Sequence, residues 1–457
     1  MPSGPDACGR RVRLNAEAGV RRTMTDTEDA LLPSTTLGVA EPDGGVESLV
    51  ETSDTPRDGA LSAFQSREFL LFWISLSLSL TGVWLRVTAQ GWLVYNLTSN
   101  AFLLGLVSFF QAAPVLIASP IAGALLDRVD RRKVLLVVQV IVSIATFLLA
   151  TLVATGHVQV WHIMVIAVVV GTCSGFDWPA RLSLVPALVK PSQLQSAVAL
   201  NSAAFNGSRV IGPIAAGFLI AAVGAAACFY LNAMMYLPFI VVLATLTIDR
   251  ASASKARTSS PMEDLVEGYR YIWRTPTIRS LLSVDIVPLT FGIAYFTLAP
   301  AVARSVLGLD SEGLGGLLAA NGVGYLGGTV LVALMSGIRR RGRIVVYGVA
   351  IYAVLIVAFA LSSNPMLSGG LLFLIGLTVA TYGVMNDTLL QTKVDDDYRG
   401  RVLAVYSMFW GLTPIGSLEA GILANAIGVQ HALAINGLIV LLYAPFLWFK
   451  TPLRQID

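Results

Sequence analysis

Four charged residues stand within long apolar stretches of the chain: Arg86, Arg209, Asp285 and Glu419. A charge at the centre of a lipid bilayer costs roughly 2.5–3.5 kcal/mol on insertion scales, so such residues are expected to line a cavity, carry protons or form ion pairs. One interpretation is that Asp285 or Glu419 gains and loses a proton as a cavity opens to either side. The alternative is a permanent ion pair, such as Arg86 with Asp285, that only holds helices together.

Two further aspartates, Asp177 in FDWPAR and Asp387 in NDTLLQTK, stand near the ends of apolar stretches, where a structural role is favoured. Aromatic and amide residues in the same stretches are candidates for lining a cavity. They are Trp84, Gln90, Gln111, Asn206, Tyr295, Tyr382 and Trp410. A wide, apolar, aromatic cavity suits amphipathic or hydrophobic solutes.

The elements that position these residues are predicted to be membrane-spanning helices. The 457 residues are 55% hydrophobic and 13% charged, whereas about 25% of residues are charged in soluble domains. Twenty helical residues cover the roughly 30 Å hydrocarbon core of a bilayer. Twelve apolar stretches are long enough, at about 69–94, 101–126, 134–155, 160–180, 193–223, 227–248, 277–303, 313–336, 344–362, 367–391, 401–427 and 431–449.

Basic residues alternate between the predicted loops. The loops after spans 2, 4, 6, 8 and 10 are rich in arginine and lysine, whereas the others have at most Arg304 at an edge. The positive-inside rule then places both termini in the cytoplasm and the protein in the cell membrane. A net charge of +3 gives no reason to expect a nucleic-acid partner.

Four segments follow from this pattern. Residues 1–62 are polar and predict a disordered cytoplasmic tail, in which Met24 is an alternative start of translation. Residues 63–250 and 277–457 each hold six predicted spans, the second with a short tail. Residues 251–276 form a cytoplasmic linker whose MEDLVEGYRYIW stretch predicts a short amphipathic helix on the inner membrane surface, or a solvated linker helix.

The two halves repeat each other. GPIAAGFLIAAVG at 212–224 aligns without gaps to GSLEAGILANAIG at 416–428, and each segment lies in the fifth span of its half. Parallel repeats of six spans are typical of transporters with a pseudo-two-fold axis along the membrane normal. The predicted fold is an all-α membrane protein with twelve transmembrane helices in two six-helix halves.

A charged turn, GALLDRVDRRK at 123–133, separates spans 2 and 3. Gly123 allows close helix packing, and Asp127 can face the positive N-terminus of another helix. The turn resembles the loop 2–3 motif of the major facilitator superfamily, G-x-L-x-D-R-x-G-R-R/K, with Asp130 in place of the second glycine. The same departure, and stretches such as GWLVYNLTSNAFLLGLV, resemble the bacterial exporter branch that includes the enterobactin exporter and macrolide efflux proteins.

The resemblance implies a conformational latch in which Asp127 meets the start of span 11. Its members are Gly123, Asp127, Arg128, Arg131, Arg132, Arg399 and Arg401. For Arg131, Arg132 and Lys133, anchoring of the topology is the favoured role. Gly212, Pro213 and Gly217 in span 5 resemble the glycine–proline pattern of exporters, although general helix packing explains them almost as well.

The function predicted from these features is proton-coupled efflux of a small amphipathic drug, siderophore or secondary metabolite by alternating access, with the bilayer as partner and a monomer as working unit. No Gly-Lys dipeptide, and hence no Walker A motif, occurs in the chain. No catalytic residue, metal site or cofactor is expected, because the three cysteines and three histidines lack ligand spacing. Uptake or facilitated exchange, or a membrane receptor without transport, are the alternatives.

Overall fold

The computed structural model describes residues 59, 61–126, 129–246, 261–335 and 340–456. Most of the predicted tail, Asp127, Arg128 and Arg339 lie outside the described residues. Within the described ranges the regular elements are helices, and eleven of them are long and apolar enough to cross a membrane. Their bounds are span 1 Arg67–Thr98, span 2 Ala101–Leu126, span 3 Arg131–Ala154, span 4 Val160–Leu184, span 5 Leu194–Val223, span 6 Ala225–Thr245, span 7 Pro276–Val306, span 8 Ser311–Leu334, span 9 Arg341–Leu361, span 10 Pro365–Lys393 and span 12 Val429–Lys450.

The remaining predicted span, span 11, is built from three shorter pieces. An α-helix over Asp396–Phe409 is followed by a 3₁₀ turn at Trp410–Leu412 and a second α-helix over Thr413–Ile427. Pro414 in the first turn of the second piece cannot donate a backbone hydrogen bond to the preceding turn, which accounts for a break at this point. The predicted all-α membrane fold is confirmed, with span 11 interrupted where a single helix was expected.

Span 7 is also irregular. Its α-helix over Pro276–Val287 changes into a π-helical turn at Pro288–Gly292, and a second π-helical turn occupies Val302–Val306. Spans 1 and 5, which hold the same places in the first half, run as uninterrupted α-helices. Interrupted helices therefore belong to the second half of the described protein.

Short polar side chains begin several spans. Asp130 accepts a hydrogen bond from Arg132 N at 3.0 Å and so caps span 3, which explains why an aspartate can stand where the superfamily motif has glycine. Asp310 caps span 8 through Gly313 N at 3.0 Å. Gly224 and Gly428 end the repeated segments of spans 5 and 11, each with φ of +90°, a conformation that glycine adopts without steric cost.

Two faces of the molecule follow from the order of the spans. We call "the basic face" the side that carries the turns with Arg131, Lys190, Arg274, Arg340 and Lys393. We call "the opposite face" the side on which spans 2, 4, 6, 8, 10 and 12 begin. Each half has its own apolar core, and the halves meet where span 5 packs on span 8 and span 2 packs on span 11.

A linker helix, Pro261–Arg274, lies at the basic face against the start of span 11. Glu267 forms an ion pair with Arg401 at 3.0 Å, and the Tyr271 ring stacks on Tyr398 at 4.4 Å between centroids. Its other side leaves the aromatic ring of Trp273 more than half exposed. A helix thus occupies the MEDLVEGYRYIW stretch of the linker, and one of its sides packs on span 11.

Candidate transport site

Arg86 lies in the first half and is 2% exposed. Its Nη1 donates to Gln90 Oε1 at 2.8 Å and to Gln111 Oε1 at 3.4 Å, while Gln90 Nε2 donates to Gln111 Oε1 at 3.2 Å. The ion pair with Asp285 considered from the sequence is not formed, because Asp285 has other partners. Two predicted cavity residues, Gln90 and Gln111, are instead the neutral amides that solvate this buried cation.

Arg209 lies on the seam between the halves and contacts aromatic rings from both. Its guanidinium lies 5.1 Å from the ring centre of Trp84 in span 1 and 4.2 Å from that of Tyr325 in span 8. Cation–π contacts of this kind contribute about 0.5–2 kcal/mol each. The sequence identified Arg209 and Trp84 separately, but Tyr325 was not singled out.

Further rings extend from Trp84. It packs edge-on against Phe296 of span 7 at 5.8 Å and against Phe205 of span 5 at 6.4 Å, and Phe205 contacts Trp178 at 5.7 Å. Trp178 is half exposed. We call this set, with Arg209, "the aromatic cluster"; it comprises Trp84, Trp178, Phe205, Arg209, Phe296 and Tyr325.

Asp285 is buried in the second half and accepts two hydrogen bonds on one oxygen. Asn386 Nδ2 lies 2.9 Å and Tyr406 Oη lies 2.8 Å from Asp285 Oδ2. The same Tyr406 hydroxyl lies 2.8 Å from Asp387 Oδ1. Asp387, for which the sequence favoured a structural role, therefore stands next to Asp285, and we call Asp285, Asp387 and Tyr406 "the carboxyl pair and its tyrosine".

Glu419 stands apart from that group. Its Oε2 accepts from Asn436 Nδ2 of span 12 at 3.2 Å, and the side chain is only partly buried. Asp285 bonds instead to residues of spans 10 and 11. The two acids that the sequence treated as equal candidates thus have different surroundings, and only Asp285 has a second carboxyl group linked to it by hydrogen bonds.

The repeated glycines occupy matching contacts in the two halves. A Cβ added at Gly217 would lie 3.2 Å from Gly315 Cα of span 8, and one added at Gly421 would lie 3.0 Å from Gly105 Cα of span 2. Gly212 packs on span 1, where an added Cβ would lie 3.0 Å from Leu85 N, and Gly416 packs correspondingly on span 7. The alignment of the two segments is therefore a structural repeat.

These glycine contacts close the seam towards the opposite face. Gly217 and Gly315 lie near the opposite-face ends of spans 5 and 8, and the close approach continues to Gly322, where an added Cβ would lie 2.8 Å from Arg209 O. Two residues before Arg209 in span 5, on another side of the helix, a Cβ at Gly207 would meet nothing within 4 Å. Pro213 belongs to the closed part, since its carbonyl oxygen would lie 2.6 Å from a Cβ at Gly315.

The described members of the predicted latch have partners at the basic face. Arg132 donates from its guanidinium to the carbonyl oxygens of Leu243 and Ala244 and so caps the end of span 6. Arg399 Nε donates to Gln391 O at 3.2 Å. Gly123 lies within span 2, and Arg131 begins span 3. Because Asp127 and Arg128 lie outside the described residues, the latch stays a prediction.

The other predicted cavity residues are divided between different surroundings. Tyr295 and Tyr382 are each 5% exposed in the core of the second half, on either side of Tyr352. Asn206 Nδ2 donates to Ser202 O at 2.9 Å within span 5. The side chain of Trp410 lies outside what the structure describes. No group of three or more potential metal ligands occurs among the described residues.

Comparison with known proteins agrees with this architecture. Residues 58–457 match the model of a major facilitator family described as transmembrane secretion effector. The multidrug efflux pump Tap of Mycolicibacterium fortuitum is 26% identical over 383 residues, which cover 82% of this chain and 93% of that protein. The staphyloferrin A transporter of Staphylococcus aureus is 26% identical over 383 residues, covering 82% and 92%. Macrolide efflux protein A of Streptococcus pyogenes is 21% identical over 403 residues, covering 85% and 97%.

Solved structures show the same fold. A bacterial homologue of the human lysosomal transporter Spinster, in an inward-facing and unoccupied conformation, superposes with a TM-score of 0.66 at 15% identity, covering 86% of this chain and 96% of that chain. A D-xylose–proton symporter superposes with a TM-score of 0.68 at 14% identity, covering 85% and 99%. At these identities the likeness shows the fold alone. Together with the family match, it establishes that the chain is a multi-pass membrane transporter of the transmembrane secretion effector family within the major facilitator superfamily.

Proposed function

We propose that this protein exports a small amphipathic solute from the cytoplasm in exchange for protons. The observation that carries the proposal is the position of the aromatic cluster on the seam, beside the last of the close glycine contacts between spans 5 and 8 towards the basic face. Arg209 stands beside this contact, since its carbonyl oxygen would lie 2.8 Å from a Cβ at Gly322. We propose that the solute binds at this cluster, with the glycine contacts closing the path towards the opposite face.

The basic face is taken as cytoplasmic by the positive-inside rule. Apolar side chains towards that end of spans 5, 8 and 11 are exposed, including Val198 at 54%, Val330 at 59% and Met408 at 52%. In the proposed cycle, the solute reaches the aromatic cluster from this face. Aromatic rings with a single cation among them suit a flat or amphipathic molecule, because rings offer large apolar contacts and few hydrogen-bond requirements.

The names of the relatives support export of drugs or siderophores, since a multidrug efflux pump, a macrolide efflux protein and a staphyloferrin A transporter are among them. The proposal includes a cell-membrane location, cytoplasmic termini, a monomeric working unit and no enzymatic activity. In the same proposal, residues 63–250 and 277–457 form the two six-helix halves, and the linker at 251–276 joins them.

The test uses the full chain reconstituted in liposomes, with a macrolide, staphyloferrin A and the fluorescent cation ethidium as separate probes. An imposed pH gradient is expected to drive accumulation of at least one probe, and a protonophore is expected to abolish it. Trp84→Ala should weaken transport of that probe, whereas Trp161→Ala, which removes an exposed ring at the opposite face, should not.

Three results would contradict the proposal. Exchange of a probe that ignores the pH gradient would indicate facilitated exchange. Gradient-driven movement of a probe only towards the cytoplasmic side would indicate uptake. Saturable binding of a probe without flux would indicate a receptor.

A further inference from the structure

We propose that Asp285 and Asp387 share a single proton through the hydroxyl group of Tyr406, and that this group is the binding site of the transported proton. The inference rests on the proton coupling proposed above and assigns its site. The hydroxyl oxygen of Tyr406 lies 2.8 Å from Asp285 Oδ2 and 2.8 Å from Asp387 Oδ1. Both separations are normal for O–H···O hydrogen bonds.

The two contacts of the Tyr406 hydroxyl group require two hydrogens, whereas one phenol and two ionised aspartates supply only one. A phenol carries one hydrogen and can donate it to one carboxylate at a time, while an ionised carboxylate has none to donate. With both aspartates ionised, one of the two 2.8 Å contacts would bring oxygen lone pairs together. If one carboxyl group is protonated, it donates to Tyr406 and Tyr406 donates to the other. The proton belongs to the linked pair, as it does in coupled titrations.

A second feature at the same place is a buried amide that holds one of the two carboxyl groups. Asn386 is 0% exposed, and its Nδ2 donates to Asp285 Oδ2 and, at 3.2 Å, to Leu281 O. Its Oδ1 is buried and has no donor among the described residues. Unsatisfied groups of this kind are rare in proteins, and the two Nδ2 bonds fix the amide against Leu281 and Asp285 of span 7. Asn386 is thus a positioning residue for Asp285.

Among the described residues, no lysine, arginine or histidine forms an ion pair with Asp285 or Asp387. The side chains that form hydrogen bonds to the two carboxyl groups, Asn386 and Tyr406, are neutral. The one arginine on the same helical segment, Arg279, packs over the ring of Trp273 at 5.5 Å. Two neighbouring carboxylates without a counter-ion repel each other, and shared protonation removes that repulsion.

The three oxygens also come from helices that can move relative to each other. Asp285 lies just before the π-helical turn of span 7, Asp387 lies in span 10, and Tyr406 lies just before the 3₁₀ break of span 11. A shift of the first piece of span 11 would withdraw the Tyr406 hydroxyl and leave two adjacent acids, which would then release or take up the proton. Movement of span 11 and proton binding are coupled in this way.

The test follows the carboxyl proton directly by infrared difference spectroscopy of the full chain in liposomes during pH steps. The wild type is expected to show the C=O band of a protonated carboxyl group at neutral pH, lost as one proton per protein on alkalinisation. Asp285→Asn and Asp387→Asn should each remove that band, because one remaining carboxylate accepts from Tyr406 without an extra proton. Tyr406→Phe should move the pH at which the band disappears.

Tyr443→Phe is the matched control. It removes another tyrosine hydroxyl of the same half, one that donates to Ser283 O at 2.7 Å and to neither carboxylate, so the band should be unchanged. Persistence of the wild-type band in both asparagine variants would overturn the assignment, and its loss in Glu419→Gln instead would place the proton at Glu419. A protonated-carboxyl band that behaves as expected, together with ethidium or macrolide transport that ignores the pH gradient, would contradict the proposed proton coupling and support the shared proton. Gradient-driven transport without such a band would support proton coupling and contradict the shared proton.

Discussion

Spans 4 and 10 hold equivalent places in the two halves, and each carries an aspartate near its basic-face end with a different partner. In span 4, Asp177 forms a buried ion pair with Arg181 and accepts from Gln139 Nε2 at 2.6 Å. In span 10, Asp387 meets the hydroxyl of Tyr406, which also meets Asp285. The first half therefore neutralises its aspartate with a fixed positive charge. On the proposal above, the second half neutralises its aspartate with a shared proton, so this site can change its charge during a transport cycle whereas the Asp177–Arg181 pair keeps its fixed charges.

The helices of the two halves also differ in how regular they are. Span 1 runs unbroken over Arg67–Thr98, whereas span 7 contains two π-helical turns and span 11 contains a 3₁₀ turn. Helix interruptions of this kind are frequent at functional sites, because they weaken backbone hydrogen bonds and permit local movement. From this comparison we expect the first half to be the more rigid and the second half to hold the elements that move and, as proposed above, bind the proton.

The largest expected difference is in stability, between Asp177→Asn and Asp387→Asn. Asp177→Asn leaves Arg181, whose side chain is 5% exposed, without its counter-ion, and should lower the free energy of unfolding by about 3 kcal/mol. Asp387→Asn leaves Tyr406 bonded to Asp285 and should change the free energy of unfolding by about 1 kcal/mol or less. Denaturant unfolding of the purified protein in detergent measures both. Equal losses in the two variants would refute the distinction between the halves, and Asp177→Asn with Arg181→Gln should recover part of the loss.

The next largest effect is expected at the close glycine contacts, which occur in both halves. Gly315→Ala places a methyl group against Pro213 O and Gly217 Cα, and overpacking of this kind costs about 2 kcal/mol. Because it destabilises the closed contact, it should raise the equilibrium population that is open towards the opposite face roughly thirtyfold, since 1.4 kcal/mol corresponds to a tenfold change in an equilibrium constant. The measurement is the labelling rate, by an impermeant thiol reagent, of a cysteine introduced by Ala101→Cys with Cys8→Ser.

The neighbouring glycine supplies the matched control for that experiment. A Cβ at Gly316 would meet nothing within 4 Å, so Gly316→Ala should leave the labelling rate unchanged. Gly105→Ala, in the symmetry-related contact of spans 2 and 11, should resemble Gly315→Ala. A response in only one of the two contacts would show that the halves do not close symmetrically.

A smaller effect is expected from Arg209→Gln. This change removes the cation that lies between Trp84 and Tyr325 on the seam, at a cost of about 1 kcal/mol. The labelling rate of the same cysteine should rise about fivefold by the same conversion. If the rate exceeded that of Gly315→Ala, the seam would be held chiefly by the aromatic cluster and not by glycine packing.

The smallest effect is expected at the linker helix. Glu267 is about half exposed in its ion pair with Arg401, and exposed pairs contribute about 0.2–1 kcal/mol. Glu267→Gln should therefore change gradient-driven transport by less than about fivefold, which is what 1 kcal/mol allows. A complete loss of transport would show that the linker helix controls the movement of span 11.

The sequence was sufficient for the spans and the repeat. Span 2 was predicted at 101–126 and occupies Ala101–Leu126, because a bilayer-length apolar run admits few other conformations. The glycine alignment of spans 5 and 11 also reappears as matched contacts. The breaks in spans 7 and 11 were not predicted, since hydrophobicity averages over a span and does not register three to five residues of altered winding.

The sequence by itself determined which charged residues lie inside the membrane. The order of its residues places Arg86, Arg209, Asp285 and Glu419 in long apolar stretches. Only the tertiary structure decided how these residues pair. Helix rotation and the choice of neighbouring span place Tyr406 between Asp285 and Asp387, more than a hundred residues from the first and in another helix from both. The physical reason is that apolar patterning in lipid fixes how far a helix extends, whereas close packing between helices fixes which side chains meet.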